Sequence, residues 1–214
     1  KCRPLEFFPD YIKQGYYPFG TEGFALYHQR VENIVDMLLN IELPQLRSVD
    51  IGNIRKIKAL LAIISTEVPM LVDITKLATL TGIARTTMLA YLQYLHEAKL
   101  IRLLYSDDLS VKKMQKPDKI LMENTNLLQA LSLQVPNIGT MRETFFCNQL
   151  GYTHQVEYNK RGDYLIDHKY VFEIGGKAKD GKQVANMENA YIASDECDYP
   201  IGNKLPLWLF GLMY

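Results

Sequence analysis

The chain has 214 residues, more than one average domain, which predicts two or three small modules. Hydrophobic residues make up 48% of it and charged residues 22%, so the chain can bury a sizeable core and is not a disordered segment. Lysine plus arginine equal aspartate plus glutamate at 24 each, which excludes attraction of the chain as a whole to nucleic acid or to a membrane. Any such affinity must be local.

The chain carries no sign of membrane insertion or export. No apolar run approaches the roughly 20 residues that cross a bilayer, and the N-terminus has no signal-peptide core, so we expect a cytoplasmic protein without a membrane partner. The sequence begins at Lys1, directly in an amphipathic stretch, and we expect it to be part of a longer polypeptide. Its cysteines are far apart and form no CxxC pair, which predicts reduced thiols at Cys2, Cys147 and Cys197.

Residues 1–52 hold five basic and seven acidic residues and are broken by prolines, which predicts short helical pieces. The best helix runs from about Tyr27 to Leu43, where apolar residues recur at three- and four-residue spacing: Val31, Ile34, Val35, Leu38 and Leu39. This pattern indicates an amphipathic helix used for packing. The aromatic and apolar residues of the same stretch also form an expected docking surface for a neighbouring module.

Residues 53–120 carry a net charge of +5, from eleven basic and six acidic residues. Apolar spacing predicts a helix ending before Pro69, a second helix ending at Gly82 and a third running from Arg85 to Ala98. A strand follows at Leu100–Tyr105, and Ile120–Met122 is its expected returning partner. Helix, helix, short glycine turn, helix and hairpin is the pattern of a winged helix-turn-helix.

Such a module predicts a DNA contact. The third helix would lie in the major groove, with Arg85, Thr86 and Thr87 at its start reaching phosphates or base edges. Three hairpin lysines would straddle the adjacent backbone: Lys112, Lys113 and Lys116. The alternative is a winged helix used for packing or for protein contact, because the third helix offers few other side chains for base readout.

Residues 121–214 hold eight basic and eleven acidic residues, which indicates another boundary. We expect a helix beginning near Gly139, a buried terminal strand over residues 205–210, and four short strands before it. The expected positions of those four strands are 155–158, 163–167, 170–174 and 190–193.

Two carboxylates on neighbouring strands, Asp163 and Glu173, resemble the arrangement of PD-(D/E)xK phosphodiesterases. Such a pair can hold a magnesium ion, with the helical Glu143 completing the metal site, and a nearby lysine can stabilise charge that develops on phosphate. Gly175 stands where that lysine is expected, two residues after Glu173. Lys177 is the next residue on the same side of a continued strand, and we take it as the candidate lysine.

Several strings in order resemble the C-terminal half of prokaryotic AAA-type ATPases that end in a domain of unknown function. They are TGIARTTMLAYLQYLHEAKLI, KPDKILMENTNLLQAL, IGTMRETFFCNQL, YVFEIGGKAKDGKQV and NKLPLWLFGLMY. The resemblance implies a restriction-endonuclease-like C-terminal part, with Glu143, Asp163, Glu173 and Lys177 at its site positions. It also implies an ATPase module upstream in the same polypeptide, which would bind the ATP, because this chain has no GxxxxGK[ST] loop.

The sequence therefore predicts an α+β protein of three parts. These are a helical lid or linker at 1–52, a winged helix-turn-helix at 53–120 and a small α/β restriction-endonuclease-like domain at 121–214. The leading hypothesis is a non-catalytic half that binds DNA or a partner protein and has no nucleotide cofactor of its own. One alternative is a magnesium-dependent PD-(D/E)xK-type nuclease, and the other is a protein–protein interaction module.

Overall fold

A computed structural model describes residues 3–47, 49–107, 116–184 and 187–213. The fold is α+β, as the sequence predicts. The α-helices are α1 (Pro4–Gln14), α2 (Tyr27–Met37), α3 (Leu43–Arg47), α4 (Ile51–Glu67), α5 (Ile74–Thr81), α6 (Arg85–Glu97), α7 (Thr125–Leu131) and α8 (Ile138–Leu150). The strands are β1 (Met70–Leu71), β2 (Ile101–Leu104), β3 (Lys119–Met122), β4 (Val156–Tyr158), β5 (Tyr164–Ile166), β6 (Tyr170–Gly175), β7 (Ala190–Ser194) and β8 (Lys204–Pro206).

The contacts group the chain into two compact units. Unit 1 consists of Lys1–Ile12, Leu104–Asp118 and Asn137–Tyr214, and unit 2 consists of Lys13–Leu103 and Lys119–Pro136. The three segments expected from composition do not map one to one onto these units. The segment that follows β2 belongs to unit 1, whereas β3 and α7 belong to unit 2.

Unit 2 contains α4, α5 and α6 and a three-stranded sheet in the order β1-β3-β2. Each of the three helices turns apolar residues inward, which confirms the predicted periodicity. The most deeply buried of these are Ile57, Leu60 and Ile64 on α4, Leu77 on α5, and Met88, Leu92 and Leu95 on α6. Gly82 ends α5 with φ 65°, a left-handed conformation that glycine adopts without strain, so α6 can begin three residues later.

The helix expected over residues 27–43 begins as α2 and continues through a π-helical turn, Leu38–Glu42, into α3. Val31, Val35 and Leu39 are buried, as the spacing predicts, whereas Ile34 is exposed. Tyr27 is also buried and its hydroxyl donates a hydrogen bond to Asn126 at the start of α7. This segment is therefore part of the core of unit 2.

Unit 1 contains a five-stranded sheet in the order β4-β5-β6-β7-β8. The pairs β4·β5 and β5·β6 are antiparallel, and the pairs β6·β7 and β7·β8 are parallel. Helix α8 precedes the sheet and is buried along most of its length, with Phe146 at the centre of an aromatic core. The ring of Phe146 lies 5.0 Å from that of Phe172 and 4.8 Å from that of Phe210.

The predicted strand at 205–210 is wrong after Pro206. Residues Leu207–Leu212 form a 3₁₀ helix. Residues three apart lie on the same side of a 3₁₀ helix, and Leu207 and Phe210 are accordingly both buried. An apolar run of this length fits a strand or a helical turn equally well, so the sequence alone could not distinguish them.

Candidate functional site

A group of charged side chains in unit 1, which we call the acidic site, consists of Glu143, Asp163, Glu173 and Lys179. Glu173 lies in the middle of β6, and only 2% of its surface is exposed. Its Oε1 accepts a hydrogen bond from Nζ of Lys179 at 2.8 Å. Its Oε2 is buried and has no hydrogen-bond partner among the described residues. A buried carboxylate oxygen of this kind is open to a further cation or donor.

Asp163 precedes β5 and is fixed against β6 by two backbone contacts. Its Oδ2 accepts a hydrogen bond from the backbone N–H of Ile174 at 2.6 Å, and its own N–H donates to the carbonyl of Phe172 at 2.9 Å. Ile174 and Phe172 flank Glu173 in sequence. Asp163 is thereby held beside the strand that carries Glu173, as the sequence predicts for carboxylates on neighbouring strands.

Glu143 reaches the acidic site from α8. Its Oε2 accepts a hydrogen bond from the hydroxyl of Tyr164 at 2.5 Å. Burial is the main cause that raises the pKa of Tyr164 well above its usual value, and the neighbouring Cys147 and Glu143 add to it. The hydroxyl therefore stays protonated and keeps donating to Glu143 throughout the physiological pH range.

The charges of the acidic site converge on Lys179. Its hydrogen bond with Glu173 is the largest cause of a raised pKa, and the negative charges of Glu173, Asp163 and Glu143 raise the pKa further. Lys179 therefore remains an ammonium. Three carboxylates around one ammonium leave an excess of negative charge, and oxygen ligands of this kind suit a divalent cation such as Mg²⁺.

The structure brings Lys179 to Glu173 in place of the expected Lys177. The side chain of Lys177 is exposed, and its backbone carbonyl accepts a hydrogen bond from Nζ of Lys204 at 2.5 Å. A turn closed by the N–H of Lys179 and the carbonyl of Gly176, 3.0 Å apart, ends the regular strand. The expectation for Lys177 assumed a continued strand, and this turn returns the later lysine instead.

In unit 2, the predicted DNA-contacting residues lie at the first turn of α6. Arg85 and Thr86 are exposed, and Thr87 is half-buried. Ala84 precedes the helix and gives it no side-chain cap, so the first backbone N–H groups are available to an external acceptor. Further along, the guanidinium of Arg47 lies over the ring of Tyr94 at 5.2 Å and covers part of the second half of α6.

A family model described as "Domain of unknown function (DUF8612)" matches residues 5–137, more than half of the chain. The chain belongs to the DUF8612 family. No curated protein and no solved structure matches it. The DUF8612 match ends at Asn137, the residue that caps α8, so it includes all of unit 2 and α6. The acidic site of unit 1 lies after the end of the match.

Of the three hairpin lysines of this DUF8612 protein, the structure describes Lys116. Lys112 and Lys113 lie outside the described residues, and Lys116 is exposed. The segment just before them pairs with β4 in unit 1, because the carbonyl of Tyr105 accepts from the N–H of Tyr158 at 2.9 Å. Tyr105 and Ser106, which follow β2, therefore pair with β4 within unit 1, and apolar periodicity within the hairpin does not predict that pairing.

A further contact within unit 1 involves Asp107 of the same segment. Nδ1 of His168 lies 3.2 Å from Oδ1 of Asp107 and 2.9 Å from Oε2 of Glu157. Burial raises the pKa of Glu157, and the charge of His168 opposes that shift.

In the part of the chain that the structure describes, no helix is both long and apolar enough to cross a membrane.

Proposed function

We propose that this DUF8612 protein binds duplex DNA through unit 2. The observation that carries the proposal is the order helix, strand, helix, helix, strand, strand from α4 to β3, with the sheet order β1-β3-β2. This is the order of a winged helix-turn-helix, in which the helix equivalent to α6 enters the major groove. Gly82 sets the tight turn between α5 and α6 that this motif needs.

The exposed first turn of α6 would make the contact. Arg85 would pair with a phosphate or with guanine, and the uncapped N–H groups and the hydroxyl of Thr86 would donate hydrogen bonds to further phosphate oxygens. Because Arg47 covers part of the later surface of α6, we expect base readout to be limited to the first turns. The bound DNA should accordingly be recognised with modest sequence preference and strong salt dependence.

The test is a fluorescence-anisotropy titration of a short labelled duplex at about 50 and 200 mM salt. We expect binding to weaken with salt, and Arg85→Ala to weaken it several-fold while lowering the salt slope by about one. Lys76→Ala is the matched control, because Lys76 is exposed on α5 but paired with Glu67 at 2.7 Å. No binding at the lower salt concentration would contradict the proposal.

The relation to AAA-type ATPases stays a proposal that rests on the resemblance of the motifs. On this proposal, an ATPase module in the same polypeptide would drive changes in how the DNA or a partner protein is held. The full polypeptide should then hydrolyse ATP, and duplex DNA should alter its rate. An unaltered rate in the presence of bound DNA would separate the two activities.

A second candidate function is divalent-cation-dependent cleavage of a phosphodiester at the acidic site. It is favoured by the buried Oε2 of Glu173, which has no partner in the described chain and lies on a carboxylate next to Asp163 and Lys179. Glu173, Asp163 and Glu143 would hold the ion, which supplies charge stabilisation at a phosphate and activates water. Lys179 would contribute a positive charge at the same place.

Calorimetric titration of Mg²⁺ and Mn²⁺ tests this candidate. We expect binding that disappears in Glu173→Gln, a variant that keeps the size of the side chain but removes its charge. Glu188→Gln, a charge change outside the acidic site, is the control. Cleavage of labelled DNA and RNA is then measured in the presence of either ion, and activity that persists in Glu173→Gln would assign it to another source.

A further inference from the structure

We infer that Lys179 is the positive group of the acidic site, in place of the lysine expected two residues after Glu173, and that residue 175 is a glycine because the Lys179 stem crosses it. The inference rests on the second proposed function, since it treats the acidic site as a site for a divalent cation and a phosphate. Lys179 balances the carboxylates before a cation enters and would face the phosphate afterwards.

The side chain of Lys179 occupies the space that a Cβ atom on residue 175 would need. A Cβ atom built on Gly175 would lie 2.7 Å from Cγ, 2.8 Å from Cβ and 2.9 Å from Cδ of Lys179. These are atoms of the stem near its own backbone, so a rotation of the side-chain tip would not relieve them. Gly175 also does not have a left-handed φ, so the need for glycine there is one of space. Any other residue at 175 would displace Lys179.

The backbone that places Lys179 over Gly175 is held by hydrogen bonds from Asp195 and from Lys204. The carbonyl of Gly175 accepts a hydrogen bond from the N–H of Asp195 at 2.9 Å. Nζ of Lys204 donates to the carbonyl of Lys177 at 2.5 Å and to that of Lys179 at 3.3 Å. The backbone from Gly175 to Lys179 is thereby held in place, and Nζ of Lys179 lies 2.8 Å from Oε1 of Glu173.

The other lysines near this turn have different environments. Lys177 is exposed, and Lys182 is exposed and paired with Asp180 at 2.7 Å. Only for Lys179 does the described structure show an ion pair with a buried carboxylate of β6. A cation at Glu173 would compete with this ion pair, because both need the same carboxylate.

The first experiment tests whether the Lys179 side chain excludes other residues from position 175, and it needs no metal. Urea unfolding is compared for the wild type, Gly175→Ala, Lys179→Gly and the double variant. We expect Gly175→Ala to lower the unfolding midpoint in the wild-type chain and to have little further effect once residue 179 is glycine, because the Cβ, Cγ and Cδ atoms that the new methyl group would strike are then all absent. An equal loss in both backgrounds would overturn the inference that the stem determines residue 175.

The second experiment tests whether the positive charge of Lys179 affects the affinity for Mn²⁺. Mn²⁺ is titrated into the wild type, Lys179→Met and Lys177→Met, with folding checked by the unfolding midpoint of each. We expect Lys179→Met to bind Mn²⁺ several-fold more tightly, because the competing ammonium is removed, and Lys177→Met to stay close to the wild type. Moving the lysine, in Gly175→Lys combined with Lys179→Gly, should restore the wild-type affinity. Equal affinities for the two methionine variants would overturn the role of Lys179.

The two experiments separate this inference from the function on which it rests. If neither the wild type nor Lys179→Met binds Mn²⁺, the cation-dependent function fails, and with it the role of Lys179 toward a cation. The unfolding cycle would still decide whether the Lys179 stem requires glycine at 175. If Mn²⁺ binds and Lys179→Met behaves as Lys177→Met does, the function stands and the inference fails.

Discussion

Arg102 and Glu123 form an ion pair inside unit 2, with Nη2 and Oε1 2.5 Å apart and the two side chains only 8% and 1% exposed. Arg102 belongs to β2, and Glu123 directly follows β3. The N–H of Glu123 also donates to the carbonyl of Leu100 at 3.0 Å, so the end of β3 is fixed to the start of β2 by both backbone and charge. These contacts join the start of β2 to the end of β3, the two strands of the predicted hairpin.

Removing one member of this pair should destabilise unit 2. Arg102→Met leaves the Glu123 carboxylate buried without its cation, and we expect a loss of about 3 kcal/mol in the free energy of unfolding, measured in urea. The double variant Arg102→Met with Glu123→Leu removes both charges and should recover most of that loss. Equal stabilities for the single and double variants would show that the pair is not the source of the effect.

Gly82→Ala should cost about 1 kcal/mol of unfolding free energy, because φ at this position is 65° and alanine is strained there. The position is otherwise open, since a Cβ on Gly82 would meet nothing within 4 Å. The cost is therefore one of backbone conformation alone. Gly82→Asn is the matched variant, and its smaller loss in the same urea titration would confirm that reason, whereas equal losses would argue for a steric cause.

Tyr164→Phe removes the hydroxyl that donates to Glu143 from a fully buried position. We expect a loss of about 1–2 kcal/mol in the free energy of unfolding, because a carboxylate loses a donor that water replaces only in part. Tyr199→Phe, at an exposed tyrosine, is the control and should leave the stability unchanged. A Tyr164→Phe variant as stable as this control would contradict the assigned role of the hydroxyl.

The pH dependence of stability should include a contribution from Asp167. The backbone N–H of Gln155 is the main cause that lowers its pKa, followed by the hydrogen bond with His154 at 2.7 Å. A lowered pKa in the folded state means that the ionised group stabilises the fold above the unfolded pKa of about 3.9, and that this contribution is lost as pH falls through the folded pKa.

Asp167→Asn should therefore lower the melting temperature at pH 7, and its difference from the wild type should shrink below about pH 4. Asparagine tolerates the φ of 51° at this position, so the change isolates the charge. Asp198→Asn makes the same charge change at an exposed site and serves as the control. A constant difference between Asp167→Asn and the wild type across the acid range would contradict this account.

Much of the local structure could be predicted from the sequence because its signals are local. Apolar spacing marks α4, α5 and α6, and short alternating runs mark β5, β6 and β7. Asp163 and Glu173 could be placed on neighbouring strands for the same reason. Lys179 could not be found in this way, because its approach to Glu173 depends on the turn after Gly175 and on the anchoring by Lys204.

The pairing of Tyr105 and Ser106 with β4 was also beyond prediction, since it joins positions about fifty residues apart and leaves no periodic signal. Composition placed boundaries near residues 52 and 120, where the charge balance changes. The contacts show no boundary near residue 52 and show further ones away from residue 120, because charge balance reports the surface of a segment and not the core in which it is buried.

The division into units means that the chain crosses from one unit to the other four times, after Ile12, Leu103, Asp118 and Pro136. Neither unit is a single stretch of polypeptide. A truncation at residue 120 would split β3 and remove α7 from unit 2. A single proteolytic cut at any one crossing should leave two fragments that stay associated until the protein unfolds, because at least one unit then contains residues of both fragments. Studying unit 2 alone would require joining Leu103 to Lys119 through a new short loop.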